Sequence, residues 1–74
     1  MTDRFSIIVA NINLSILVEQ LPALSRMLQP TGTLLLSGLL RSDQQAIELV
    51  CIELGLRVMA VRSLGDWIML RLAY

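Results

Sequence analysis

Short apolar runs rich in β-branched residues and leucine predict the strands of this chain. Residues 5–10 predict a strand buried on both faces, and residues 33–39, which follow a Pro-Thr-Gly turn, predict a second buried strand. Two later apolar runs, 56–62 and 67–72, flank a four-residue connection that contains glycine and aspartate. This arrangement predicts a β-hairpin.

The segments between these runs carry helical periodicity. Over 14–28 the apolar residues recur at spacings of three and four, which is typical of an amphipathic helix with Ser15 as a candidate N-cap. Pro22 lies inside that stretch, so we expect two short helical pieces with Pro22 in the first turn of the second. A second helix is predicted to begin after Ser42 as N-cap and to end at Gly55.

The resulting order is strand, helix, strand, helix, strand, strand, which indicates an α/β fold. We expect a partial doubly wound, Rossmann-like sheet with right-handed parallel crossovers, closed by a terminal antiparallel β-hairpin. No strand is predicted ahead of residues 5–10, so we expect the first strand to have a free edge. An uncovered apolar edge favours association with another strand.

Composition narrows the classes of protein that fit this pattern. The 74 residues are 55% hydrophobic and 16% charged, against about 45–50% and about 25% in average soluble domains. The chain is too apolar for intrinsic disorder, and polar residues interrupt it too often for a membrane span of about 20 residues. We therefore expect one small α/β unit that needs a partner surface.

Charge and side-chain chemistry exclude several functions. Six arginines balance six acidic residues, so no long-range field favours nucleic acid or an anionic membrane. Histidine is absent, which removes the commonest general base and metal ligand. The single cysteine, Cys51, lies in an apolar setting and is expected to be a buried, inert thiol. These features disfavour a self-contained hydrolase or metalloenzyme.

Four local motifs carry a family resemblance. Residues 5–12 read FSIIVANI, similar to the strand-end motif FDLVVANI of the PrmA family, whose members methylate ribosomal large-subunit protein eleven. Residues 28–32 (LQPTG) match LKPGG, residues 36–40 (LSGLL) match LSGIL, and residues 66–68 (DWI) match EWV. Over nearly its whole length the chain resembles the carboxy-terminal half of a class I S-adenosylmethionine-dependent methyltransferase.

The resemblance implies a set of functional expectations. Residues 1–74 would be a single partial domain of a cytoplasmic enzyme that transfers methyl groups from S-adenosylmethionine to amino groups of a ribosomal protein. Asn11 would contact the cofactor near its reactive methyl group and place the incoming amine, and Trp67 would line the substrate channel. The family's glycine-rich cofactor loop would lie upstream, so we expect the chain alone to bind S-adenosylmethionine weakly or not at all.

Each of these residues also has a purely structural interpretation. Asn11 could turn the chain and cap the following helix, and Trp67 could be a core or rim aromatic residue. Ser37 and Gly38 are expected to permit close packing and a bend in the second strand rather than to form a pocket wall.

Two function classes remain open from the sequence. The chain is either a methyltransferase half completed by a complementary amino-terminal half, or a non-enzymatic remnant or module that self-associates through its first strand. Amide and nucleic-acid methylators fit less well, because residues 11–14 read NINL where those families usually carry Asn-Pro-Pro-Tyr or Asp-Pro-Pro-Tyr.

Overall fold

The computed structural model describes residues 4–74, which form four strands and two α-helices. In chain order these are β1 (Phe5–Asn11), α1 (Leu14–Met27), β2 (Leu28–Leu40), a 3-10 turn (Arg41–Asp43), α2 (Gln44–Leu54), β3 (Arg57–Leu64) and β4 (Trp67–Ala73). The predicted α/β order with a terminal hairpin is confirmed.

The strands form one sheet in the order β1-β2-β4-β3. β1 and β2 are parallel, whereas β4 runs antiparallel to both of its neighbours, β2 and β3. The hairpin therefore inserts its second strand beside β2 and leaves β3 at one edge of the sheet. β1 forms the other edge, as the sequence predicts.

Both helices cover the same face of this sheet. The crossovers β1-α1-β2 and β2-α2-β3 advance across the sheet in the same direction, and right-handed crossovers in one direction place their helices on one side. The hydrophobic core lies between that face and the helices. Its fully buried members are Leu17, Leu21, Leu28, Leu34, Leu36, Leu39, Ile47, Cys51, Ile68, Leu70 and Leu72.

The opposite face of the sheet is uncovered in residues 4–74, so the expectation that β1 is buried on both faces is wrong. Side chains alternate between the two faces along each strand. The outward set, which we call the open sheet face, includes the apolar residues Ile7, Val9, Leu35, Met69 and Trp67 and, on β3 and β4, Arg62 and Arg71. Ile7 is 63% exposed and Val9 is 70% exposed.

α1 is one continuous helix, so the predicted break at Pro22 is wrong. A proline inside a helix costs about 3 kcal/mol. Leu17 and Leu21 are fully buried on the same helix, and burying each leucine contributes about 1.5–3 kcal/mol. Packing against the sheet thus outweighs the loss of one backbone donor. The Ser25 hydroxyl also donates to the Pro22 carbonyl at 2.7 Å.

The N-termini of both α-helices differ from the prediction, whereas the C-terminus of α2 agrees with it. α1 is capped by Asn13 rather than Ser15, and the Asn13 Oδ1 accepts from the Ile16 N–H at 3.1 Å. Asp43 rather than Ser42 is the N-cap position of α2, because residues 41–43 form the 3-10 turn. Gly55 ends α2 with a left-handed φ of 75°, as predicted.

Candidate functional site

A cleft with a volume of about 310 Å³ opens at the carboxyl ends of β1 and β2. We call it the Asn11 cleft. Its lining residues are Asn11, Ser37, Gly38, Arg62, Ser63, Leu64, Trp67, Ile68 and Met69. In open α/β sheets, ligands bind outside the carboxyl ends of the parallel strands, and small-molecule sites span about 300–1,000 Å³. The cleft therefore has the right position and a volume at the lower end of that range.

Strand register brings the two sequence-predicted site residues, Asn11 and Trp67, to this one cleft. Asn11 pairs with Ser37 across the parallel β1–β2 ladder, and the following Ile12 N–H donates to the Ser37 carbonyl at 3.2 Å. Trp67 pairs with Leu40 at the end of β2, because β4 runs antiparallel to it. The end of β1 and the start of β4 thus flank the end of β2 from its two sides.

The Asn11 carboxamide is not used to cap the helix. That role belongs to Asn13, whose Oδ1 also accepts from the Ser15 hydroxyl at 2.9 Å. Among residues 4–74, none of the side-chain hydrogen bonds involves the carboxamide of Asn11. An amide carries two N–H donors and one oxygen acceptor, so Asn11 keeps its full hydrogen-bonding capacity for a ligand.

Gly38 lies close to the Asn11 side chain. The β2–β4 register shifts between Leu36 and Leu39, and Gly38 takes a left-handed φ of 79° within this irregularity. A Cβ at Gly38 would lie 2.1 Å from the Asn11 Oδ1. The close packing and the bend predicted for Ser37 and Gly38 are confirmed, but both residues also line the cleft, so the expectation that they do not form a pocket wall is wrong.

The hairpin of β3 and β4 supplies the opposite wall of the cleft, and part of this wall differs from the sequence prediction. The predicted connection over 63–66 is too long, since β3 continues to Leu64 and only Gly65 and Asp66 form the turn. This register pairs Leu64 with Trp67 and Arg62 with Met69. A Gly-Asp dipeptide between two apolar runs is itself a signal for a two-residue hairpin turn, and it would have placed Leu64 and Arg62 here.

The electrostatics of the cleft are simple. Arg62 is the one charged side chain among the described lining residues, and no carboxylate or thiol faces the cavity. Cys51 lies in the core instead, where burial and the nearby Glu48 raise the pKa of its thiol to about 11. Its predicted burial is confirmed. The cleft can therefore position polar groups but offers no acid or base of its own among residues 4–74.

A larger depression of about 530 Å³ lies at the opposite end of the sheet. It is lined by Arg4, Ser25, Arg26, Pro30 and Tyr74, at the amino ends of the parallel strands. Its location does not match the rule for ligand binding in α/β sheets. Within residues 4–74, no cluster of three metal-ligating side chains forms, and neither helix is long and apolar enough to cross a membrane.

Fold and cleft together define an α/β protein with part of a doubly wound, Rossmann-like sheet, whose helices cover one face and whose candidate site lies at the carboxyl edge of the sheet. Comparison with known families narrows this class to one. The family model described as Ribosomal protein L11 methyltransferase (PrmA) matches residues 1–73, and the chain belongs to that family. The resemblance read from the four sequence motifs is confirmed.

Two relatives show how much of a longer protein this chain corresponds to. The ribosomal protein L11 methyltransferase of Porphyromonas gingivalis is 39% identical over 67 residues, which are 90% of this chain and 23% of that protein. The crystal structure of ribosomal protein L11 methylase from Lactobacillus delbrueckii subsp. bulgaricus superimposes with a TM-score of 0.90 at 30% identity. That match covers 96% of this chain and 37% of the crystallised chain. The chain thus spans about a quarter of its curated relative.

Proposed function

We propose that this chain supplies the carboxy-terminal part of the catalytic domain of a cytoplasmic methyltransferase that acts on amino groups of ribosomal protein L11. In this proposal residues 1–74 are a single partial domain, and S-adenosylmethionine is the methyl donor. The observation that carries the proposal is the meeting of Asn11 and Trp67 in one cleft at the carboxyl edge of the sheet. Membership of the L11 methyltransferase family supports the substrate class.

The residues of the Asn11 cleft fit the methyl-bearing sulfonium centre of S-adenosylmethionine. The Asn11 carboxamide offers uncommitted donors and an acceptor, and Trp67 offers an apolar wall. The four glycines of the chain, at 32, 38, 55 and 65, do not have the spacing of a glycine-rich cofactor loop. The nucleoside and methionine ends would therefore depend on residues outside this chain.

The proposed reaction needs little acid–base catalysis from the protein. S-adenosylmethionine, when bound, supplies an electrophilic methyl group on a sulfonium centre. The acceptor amine must be neutral, and the Asn11 Oδ1 would accept a hydrogen bond from its N–H and so orient its lone pair. Trp67 and Leu64 would exclude water from the reacting groups. The lack of an acid or base among the described cleft residues is consistent with this division of roles.

A complementary amino-terminal segment is the partner that the proposal requires. The open sheet face is apolar over β1 and β2 and carries Arg62 and Arg71 over β3 and β4, and an exposed apolar patch rimmed by polar residues marks an interaction site. In the relatives, most of the protein lies outside the part matched by this chain, so the same segment that carries the cofactor loop could cover the face. The alternative is a non-enzymatic module in which a second copy pairs with β1, an exposed edge strand with no charged residue and no proline.

The test is a graft of this chain into the L. delbrueckii methylase in place of the segment on which it superimposes. We expect the graft to transfer methyl groups from radiolabelled S-adenosylmethionine to ribosomal protein L11. Asn11→Ala is expected to reduce kcat/KM by roughly 10–100-fold, because misplacing a reactant has effects of that order. Gln45→Ala removes an exposed carboxamide on α2 and serves as the matched control.

Two results would contradict the proposal. One is a folded graft that transfers no methyl groups. The other is an active graft in which Asn11→Ala loses no more activity than Gln45→Ala. Dimerisation of the ungrafted chain that Val9→Lys abolishes would favour the self-associating alternative.

A further inference from the structure

We propose that Gly38 is a positioning residue whose missing side chain sets the orientation of the Asn11 carboxamide. The inference rests on the proposed function, because orientation matters only if Asn11 contacts a ligand. It assigns to Gly38 a role beyond allowing β2 to bend.

Two constraints act on Gly38 at once. Its φ of 79° lies in the left-handed region, which is costly for residues with a Cβ. A Cβ there would also lie 2.1 Å from the Asn11 Oδ1 and 3.3 Å from the Asn11 Cγ. Real Cβ atoms do not approach other atoms so closely, so any other residue at 38 forces the Asn11 carboxamide to move.

The hydrogen bonds at Asn11 fix the position of its backbone but not the orientation of its side chain. The Ile12 N–H to Ser37 carbonyl hydrogen bond secures the backbone on one side. Among residues 4–74, no side-chain hydrogen bond holds the carboxamide itself. The space left by the missing Cβ of Gly38 is therefore the feature that lets the carboxamide lie against β2 within the cleft.

Gly55 provides a matched control within the same chain. Its φ of 75° is almost equal to that of Gly38, yet a Cβ at Gly55 would meet no atom within 4 Å. Gly55→Ala therefore measures the cost of left-handed strain alone, and Gly38→Ala measures strain together with the collision at Asn11. The pair separates a structural role of glycine from a positioning role.

The first readout is the side-chain NH₂ resonance of Asn11 in ¹H–¹⁵N spectra of the chain. We expect Gly38→Ala to shift this resonance and Gly55→Ala to leave it in place. If Gly38→Ala does not fold, Gly38→Asn with Gly55→Asn as control repeats the test, since asparagine tolerates the left-handed region better. An unshifted Asn11 resonance in a folded Gly38 variant would overturn the proposal without touching the proposed function.

The second readout is kcat/KM in the L. delbrueckii graft. We expect Gly38→Ala to lose activity by roughly 10–100-fold, as Asn11→Ala does, and Gly55→Ala to change it by less than about twofold. The double variant Asn11→Ala/Gly38→Ala should be no worse than the poorer single variant, because both act on one group. Losses that multiply would show an independent structural effect and overturn the positioning role. An Asn11→Ala graft with full activity would instead refute the proposed function.

Discussion

Replacing Ile7 and Val9 by alanine tests whether the open sheet face is an interface. Both side chains project from β1 away from the helices, with exposed fractions of 63% and 70%. In the chain alone the double variant should lose about 1.5–2 kcal/mol, from the fractions of both side chains that are already buried and from the lower strand propensity of alanine. In the L. delbrueckii graft, where a complementary segment is expected to cover this face, the loss should be larger.

The added loss follows from the carbon atoms removed and their exposure. Ile7→Ala removes three carbons and Val9→Ala removes two, at about 0.8 kcal/mol for each carbon that becomes buried. Scaled by the exposed fractions, covering the face adds about 1.5 kcal/mol at Ile7 and about 1.1 kcal/mol at Val9. The graft should therefore lose about 2.6 kcal/mol more than the chain alone, if the two sites add.

Urea denaturation followed by circular dichroism measures both losses. Leu34→Ala, on the helix-covered face, is the control and should cost about 2–5 kcal/mol in either context. Equal losses for the Ile7/Val9 variant in chain and graft would show that the face stays uncovered. That result would refute the interface and the need for a complementary segment to cover it.

Three further predictions concern single side chains. Asn13→Ala should lower the free energy of unfolding by about 1 kcal/mol, because it removes the N-cap of α1. Asn11→Ala should change the free energy of unfolding by less than about 0.5 kcal/mol. Equal effects of the two variants in urea denaturation would contradict the division of roles between the two asparagines. Tyr74→Phe removes the hydroxyl that donates to the Ser25 carbonyl and should cost about 1 kcal/mol, measured as a lower urea midpoint at unchanged slope. Burial raises the pKa of the Cys51 thiol from 9.0 to about 11, so the thiol ionises first in the unfolded chain and the free energy of unfolding should fall as pH rises from 9 to about 11. Cys51→Ala should remove that part of the pH dependence. If the free energy of unfolding has the same slope against pH in the variant, the thiol is not buried in solution.

Element types were readable from the sequence because each local pattern agrees with the final packing. The β-branched run of β1 and the leucine spacing of α1 both survive in the structure, and Gly55 ends α2 as its left-handed preference predicts. The motif resemblance also placed Asn11 and Trp67 correctly at the carboxyl edge of the sheet, since strand-end residues follow directly from strand boundaries.

Other features depend on tertiary contacts that local patterns do not contain. An apolar strand such as β1 has the same sequence pattern whether its own chain covers both faces or a partner covers one of them. Pro22 is tolerated because Leu17 and Leu21 pack on the sheet, which helix propensity ignores. The insertion of β4 beside β2 is a pairing across the sheet, and hairpin signals do not specify it. The approach of Gly38 to Asn11 depends in turn on the parallel register of β1 and β2.

The central claim is that residues 1–74 form only part of a cofactor pocket, and calorimetric titration of S-adenosylmethionine tests it most directly. The titration is performed on the chain alone and on the L. delbrueckii graft, and the oligomeric state of each sample is measured in parallel. The account predicts no detectable heat for the folded chain, because this chain lacks a glycine-rich loop, and saturable binding for the graft. Micromolar binding by the chain alone would contradict the account, since residues 1–74 would then form the whole cofactor pocket by themselves or across a dimer.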